Sequence, residues 1–156
     1  GGAGLSSTAY DYAIFLQMIL NGGKYNGKQI ISPRTAELMV SPQLDFKYEG
    51  LNDFGLGFAI TSEKAANLNA RNKGSFSWGG YYGTTYWADP KEKLICLIMT
   101  QHTPNSHTGF QGKIENIIYA SVPNVIVSPF LMIGATDSRY FRNNSEAVLN
   151  FSAASL

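Results

Sequence analysis

Residues 75–99 read SFSWGGYYGTTYWADPKEKLICLIM, and this segment predicts the central part of a β-sheet. The segments 75–78 and 84–88 are rich in aromatic residues and lie on either side of a glycine-rich turn, which is typical of two paired strands. The segment 89–92 forms a turn before the unbroken apolar run 94–99, which indicates a strand covered on both faces. Since a parallel pair would need a long crossover, these short connections predict antiparallel strands.

A helix is predicted near the start of the chain. Thr8 and Asp11 fit a capping box, which satisfies backbone N–H groups at a helix N-terminus. Apolar residues at helical spacing continue to Leu20, and some occupy other faces, so we expect this helix to be mostly buried. Gly22 and Gly23 end it, because glycine accepts a left-handed backbone without a Cβ clash.

Two further helices are predicted. Ser32 and Pro33 begin a short helix that runs to about Val40, with proline at the first helical position. A third follows the strands, where Thr108 and Gln111 fit a capping box. An apolar stripe along this last helix is expected to face the core: Phe110, Ile114, Ile117, Ile118 and Ser121.

One more strand is predicted at 54–60, where large apolar residues alternate strictly with glycine or alanine. The face of such a strand that carries only glycine and alanine suggests that another element lies very close to it. The polar segment 63–73 is predicted to be an exposed connection. Helices packed against an antiparallel sheet give an α+β fold class.

Composition excludes several classes of protein. The chain has 156 residues, 44% hydrophobic and 15% charged, which is enough for one core and excludes bulk disorder. A net charge of +1 gives no electrostatic reason to expect nucleic acid or an anionic membrane as a partner. No apolar run is long enough for a membrane span. Cys96 is the only cysteine, which excludes an internal disulfide, and its apolar neighbours indicate a buried thiol.

Several motifs, in order, resemble the penicillin-recognising serine hydrolases, the family of class C β-lactamases, serine esterases and D-alanyl-D-alanine peptidases. The resemblance covers residues 1–122 and rests on GGAGLSST at 1–8, the helix that follows it, FGLGF at 54–58 and FSWGGYYG at 76–83 with its following hairpin. The last of these is similar to the family's third conserved box, which lies on a strand beside the nucleophile. The resemblance therefore implies a partial β-lactamase-like fold and substrate-binding roles for Trp78, Gly79, Gly80 and Tyr81.

The third box usually carries a cationic residue that holds a substrate carboxylate, and Trp78 stands in its place. A related subset, closer to esterases and peptidases, is similar in having tryptophan here. An oxyanion hole built from backbone N–H groups near Gly80 and Tyr81 needs no particular side chain, so the resemblance still allows it.

The catalytic boxes of the family are absent from these 156 residues. No serine is followed three positions later by lysine, so the Ser-x-x-Lys nucleophile is missing. Tyr119-Ala120-Ser121 matches the Tyr-x-Ser box only in its letters, because it follows the third box instead of preceding it. We therefore expect the C-terminal half of such an enzyme, with no catalytic residue and no activity alone. In the parent, the substrate would be a small ester, amide or peptide.

The tail resembles a different family. Residues 123–152, with Gly134-x-Thr136-Asp137-x-Arg139, are similar to part of the aminoacylase/carboxypeptidase zinc peptidases, whose metal ligands are otherwise missing here. This divides the chain into 1–122, part of a serine hydrolase domain, and an appended segment 123–156. Such a combination suggests a chimera, an artificial recombinant or a gene fusion.

Two other interpretations remain open. The aromatic residues near Tyr81 could instead make a non-catalytic module that binds peptide or sugar, or that self-associates into a homo-oligomer through exposed sheet edges. His102 and His107 flank a polar loop without a third ligand, so neither a metal site nor any cofactor is expected. The sequence leaves the compartment open.

Overall fold

The computed structural model describes residues 4–103 and 109–121. The helices are α1 Ala9–Leu20, α2 Pro33–Met39, α3 Glu63–Ala66 and α4 Phe110–Ser121. The strands are β1 Lys24–Tyr25, β2 Lys28–Gln29, β3 Asp53–Phe54, β4 Ala59–Ile60, β5 Phe76–Gly79, β6 Thr85–Asp89 and β7 Leu94–Ile98. No helix within the described ranges is long and apolar enough to cross a membrane.

The main sheet has five strands in the order β3-β4-β5-β6-β7, and every neighbouring pair is antiparallel. Strands β5 to β7 lie within one residue of the segments predicted for them. Alternate residues of β7 face two separate cores, with Ile95 on the α1 side and Cys96 on the α4 side. The predicted α+β class and the two-sided burial of the 94–99 run are therefore confirmed.

Helix α1 begins where the capping box predicts. The Thr8 side chain accepts a hydrogen bond from Asp11 N–H at 3.1 Å. Leu16, Met18 and Ile19 are buried. Most other residues of α1 are only half-buried, so the helix is less buried than expected. Gly22 and Gly23 both have positive φ and end the helix.

The single strand predicted at 54–60 is wrong, because this segment is a tight hairpin of β3 and β4. Phe54 pairs with Ala59, and the chain reverses at Gly57, whose φ is +91°. The expected close approach is confirmed: a Cβ on Gly55 would lie 2.2 Å from the carbonyl oxygen of Met39. Strict alternation arose here from glycines that serve a turn and a close contact, not from an extended strand.

Two other expectations need correction. The segment 63–73, expected to be an exposed connection, contains α3 and the fully buried Ala65. In α4, Ile118 is buried as predicted, but Phe110 and Ile117 are exposed, and Glu115 is buried instead. Glu115 can be buried there because it forms an ion pair with the half-buried Arg71 at 2.8 Å. The predicted Thr108 cap and the side chain of Ser121 lie outside the described part.

Candidate functional site

A cleft of about 490 Å³ lies between the start of α1 and the far end of β5. Its walls come from the segment before α1, one residue of that helix, the end of β5 and the strands beside it. The lining residues are Leu5, Ser6, Ser7, Tyr12, Trp78, Gly79, Gly80, Thr84, Tyr86, Met99 and Gln101. Three of the four residues predicted to bind substrate thus line one cavity.

Trp78 forms an aromatic wall of this cleft. Its ring centroid lies 5.2 Å from that of Phe54 and 5.6 Å from that of Tyr48, so two neighbours fix its orientation. The residue is 39% exposed, and that exposure leaves part of the indole free to contact a bound molecule. Indole stacks on flat or apolar groups and offers no positive charge.

The glycines after Trp78 make a narrow turn. Gly80 N–H donates to the Thr84 carbonyl oxygen at 2.7 Å, and Gly83 N–H donates to the Gly80 carbonyl oxygen. The Gly80 N–H therefore already has a partner within the turn, and of the two backbone donors expected near this position only that of Tyr81 lacks a backbone partner among the described residues. A Cβ on Gly79 would lie 3.3 Å from the same Thr84 oxygen, so glycine also allows the two sides of the β5–β6 turn to lie close together.

Tyr81 occupies the tip of this turn. Its side chain is 80% exposed, lies outside the cleft lining and contacts the ring of Tyr82 at 5.2 Å between centroids. No backbone group in the described part accepts a hydrogen bond from Tyr81 N–H.

Two tyrosines whose rings contact each other line the cleft. The rings of Tyr12 and Tyr86 lie 4.8 Å apart, one from α1 and one from β6. Burial and a hydrogen bond with Tyr12 raise the pKa of Tyr86 far above its ordinary value, so its hydroxyl stays protonated. Tyr12 lies within the stretch of helical apolar spacing that ends at Leu20, and that spacing alone gives no sign that it lines a cleft.

Among the described residues that line the cleft there is no lysine, arginine, histidine, aspartate or glutamate. Its polar groups are the hydroxyls of serine, threonine and tyrosine, one glutamine and the backbone. Thr84 Oγ1 already donates to the Thr100 carbonyl oxygen. The arrangement can therefore stack and hydrogen-bond a neutral molecule, but no side chain of the lining can draw a proton from a hydroxyl at neutral pH.

The remaining candidates lie elsewhere. Tyr119 donates its hydroxyl to the buried Asp89 carboxylate at 2.7 Å, so it holds the β6–β7 turn and takes no part in the cleft lining. His102 follows the cleft strand and donates its backbone N–H to Tyr82. Among the described residues no group of three potential metal ligands is present. His107, Asp137, Arg139 and the rest of 123–152 fall outside them.

Comparison with protein families and curated sequences gives a consistent result. The family model described as Beta-lactamase matches residues 1–117. Protein Rv1367c of Mycobacterium tuberculosis (strain H37Rv) is 33% identical over 117 residues, covering 67% of this chain and 29% of that protein. An N-acetylmuramyl-L-alanine amidase of Bacillus subtilis (strain 168) is 30% identical over 109 residues, covering 67% of this chain and 24% of that protein. The chain thus spans less than a third of the length of these relatives.

Solved structures show the same fold. Simvastatin synthase (LovD) from Aspergillus terreus is 26% identical, with a TM-score of 0.55 over 70% of this chain and 33% of that one. A beta-lactamase (Mb2281c) from Mycobacterium bovis is 23% identical, with a TM-score of 0.55 over 73% of this chain and 44% of that one.

Proposed function

The chain belongs to the beta-lactamase family over residues 1–117, and from this premise we propose that it forms the sheet-side wall of a substrate cleft in a serine hydrolase. The parent would cleave small esters, amides or peptides through an acyl-serine intermediate. The observation that carries the proposal is the cleft at the end of β5, bounded by Trp78, Gly79 and Gly80. The relative named as an amidase supports acyl-bond cleavage as the reaction class.

In this role the tip of the β5–β6 turn would supply the oxyanion donor. The N–H of Tyr81 has no backbone partner among the described residues, whereas that of Gly80 is already bonded to Thr84. A fixed backbone donor stabilises the charge that develops on a carbonyl oxygen without needing to reorganise. Trp78 would contact the substrate, and because its uncharged indole stands where the third box usually carries a cation, we favour neutral substrates over carboxylates.

The same geometry argues against turnover by this chain alone. Formation of an acyl-enzyme requires a nucleophile and a group that accepts its proton. Ser6 and Ser7 line the cleft, yet no lysine, histidine or carboxylate is found beside them in the described part of the lining, and the sequence holds no Ser-x-x-Lys. We therefore assign the chain a binding and charge-stabilising role, with catalysis dependent on a nucleophile that these residues do not include.

Incubation of the chain with a nitrophenyl ester, a chromogenic β-lactam and a fluorophosphonate probe tests this assignment. We expect no release of chromophore above the rate with bovine serum albumin, and no mass increase in the intact protein. A stoichiometric acyl or phosphonyl adduct, mapped by peptide mass spectrometry to any serine of this chain, would overturn the proposal. The variant pair Ser6→Ala and Ser7→Ala would then identify the nucleophile.

A further inference from the structure

Asparagine is followed directly by glycine at two places in the chain, Asn21-Gly22 and Asn26-Gly27. In such a pair the backbone nitrogen of glycine can attack the side-chain carbonyl carbon of asparagine, because glycine has no Cβ to obstruct the approach. The attack closes a five-membered succinimide ring and releases ammonia. Which of the two sites reacts depends on what holds the attacking nitrogen and the amide that it attacks.

Asn26 and Gly27 form the two-residue turn between β1 and β2. Tyr25 pairs with Lys28 across this turn, and φ is +46° at Asn26 and +75° at Gly27, as a type I′ turn requires. Both residues are exposed. Neither the Asn26 side chain nor the Gly27 N–H has a hydrogen-bond partner among the described residues, so both reacting groups are free.

The same two groups are held at Asn21-Gly22, where α1 ends. Gln17 Nε2 donates to the side-chain oxygen of Asn21 at 3.3 Å, and Gly22 N–H donates to the Ile19 carbonyl oxygen at 3.0 Å. The Gly22 carbonyl oxygen in turn accepts a hydrogen bond from Gln29 Nε2 at 3.0 Å. Attack at this site would first have to break these bonds, which raises its barrier.

The two sites also differ in how readily their surroundings open. Strands β1 and β2 have two residues each and form a sheet of their own, and so short a hairpin is marginally stable. Asn21 instead caps a helix of 12 residues whose side chains reach the core. Local opening of the hairpin therefore gives Asn26 the freedom that ring closure needs, while the end of α1 stays closed.

We propose that Asn26 is a site of spontaneous deamidation and reacts in preference to Asn21. The Gly27 nitrogen bonds to the side-chain carbon of Asn26 and loses its proton, and ammonia leaves. Water then opens the succinimide at either carbonyl, which gives aspartate or an isoaspartyl link. Aspartate tolerates a positive φ and keeps the turn. The isoaspartyl link adds a methylene to the backbone of a two-residue turn and breaks the pairing of Tyr25 with Lys28.

Peptide mapping by mass spectrometry of the full chain, aged at mildly alkaline pH, tests the proposal. In the folded chain we expect Asn26 to deamidate at least about tenfold faster than Asn21. The same chain unfolded in urea is the control, and there the two sites should react at similar rates, because the hydrogen bonds that separate them are lost. Equal rates in the folded chain, or an Asn26 that reacts in urea and stays intact when folded, would overturn the proposal.

A second readout identifies the isoaspartyl product and does not depend on the variants folding. A protein isoaspartate methyltransferase with labelled S-adenosylmethionine should label the aged native chain on the peptide that contains residue 26. Asn26→Gln should abolish that label, because attack on the longer side chain must close a six-membered ring, which is slower. The matched variant Asn21→Gln should leave the label unchanged. Label that persists in Asn26→Gln and is lost in Asn21→Gln would overturn the proposal.

Discussion

At the scale of single residues, the buried Asp89 carboxylate joins several segments of the chain outside the cleft. Burial alone would raise its pKa, but hydrogen bonds led by those of Tyr119 and Asn72 outweigh burial and hold the pKa below its ordinary value. Its other carboxylate oxygen accepts the backbone N–H groups of Lys91 and Glu92. One ionised side chain thus holds together the β6–β7 turn, the segment before β5 and the end of α4.

We predict that Asp89→Asn lowers the free energy of unfolding by about 2–4 kcal/mol at pH 7. The side-chain NH2 of asparagine cannot accept the hydrogen bonds that one of the carboxylate oxygens accepts now. The folded-state pKa lies below the unfolded value, so the contribution is complete above about pH 4 and is lost as pH falls through the folded-state pKa. Urea titrations at several pH values should show this acid-dependent loss in the native chain and not in Asp89→Asn. Asp45→Asn, at an exposed site, is the control and should change stability little; an equal loss in both variants would contradict the prediction.

The sequence predicts some of the residues that line the cleft and not others. The motif placed Trp78, Gly79 and Gly80 at one site because box residues are contiguous on one strand. It could not separate Gly80, whose N–H closes the turn, from Tyr81, whose N–H does not. That difference depends on where the β5–β6 ladder ends, which is a property of three-dimensional register and not of residue type. Tyr12 was missed as a cleft residue for a similar reason, because helical spacing cannot tell which part of a buried face meets a cavity.

At the scale of elements, the β3–β4 hairpin shows how a pattern of period two misleads. Its glycines occupy alternate positions, yet Gly57 makes the reversal and Gly55 admits the carbonyl of Met39. Helix α4 differs for an electrostatic reason, since the Arg71–Glu115 pair buries a residue that a hydrophobic pattern assigns to solvent. Strands β5 to β7 were predictable because short turns and continuous apolar runs leave few alternative pairings.

Replacing one glycine in the β3–β4 hairpin and one in α4 should have opposite effects on stability. We predict that Gly55→Ala destabilises the protein by about 2 kcal/mol or more, because a Cβ 2.2 Å from a backbone oxygen forces the hairpin away from α2. Gly112→Ala should instead stabilise it by about 0.5–1 kcal/mol, because Gly112 lies in α4 with open space around the added Cβ. Chemical denaturation of both variants checks this, and a stabilised Gly55→Ala would show that the close approach to Met39 is absent.

At the scale of the whole molecule, one sheet separates two hydrophobic cores. Residues such as Phe76 and Tyr86 pack toward α1, whereas Trp87 and Cys96 pack toward α4. Burial raises the pKa of the Cys96 thiol, in keeping with a structural role and low reactivity. Because neighbouring residues of β6 and β7 belong to different cores, neither core can be lost without disturbing the strands that form the other.

We therefore predict a single unfolding transition with additive contributions from the two faces. Ile19→Val on the α1 side and Ile118→Val on the α4 side each remove one buried methylene, and each should cost about 0.5–1.5 kcal/mol. The side chains touch opposite faces and share no partner, so the double variant should equal the sum of the singles within about 0.5 kcal/mol. For the native chain and each of the three variants, urea unfolding followed by near-ultraviolet and by far-ultraviolet circular dichroism should give the same midpoint. If the two signals have different midpoints in Ile118→Val alone, the α4 side unfolds independently of the α1 side. The sheet would then fail to couple its two faces.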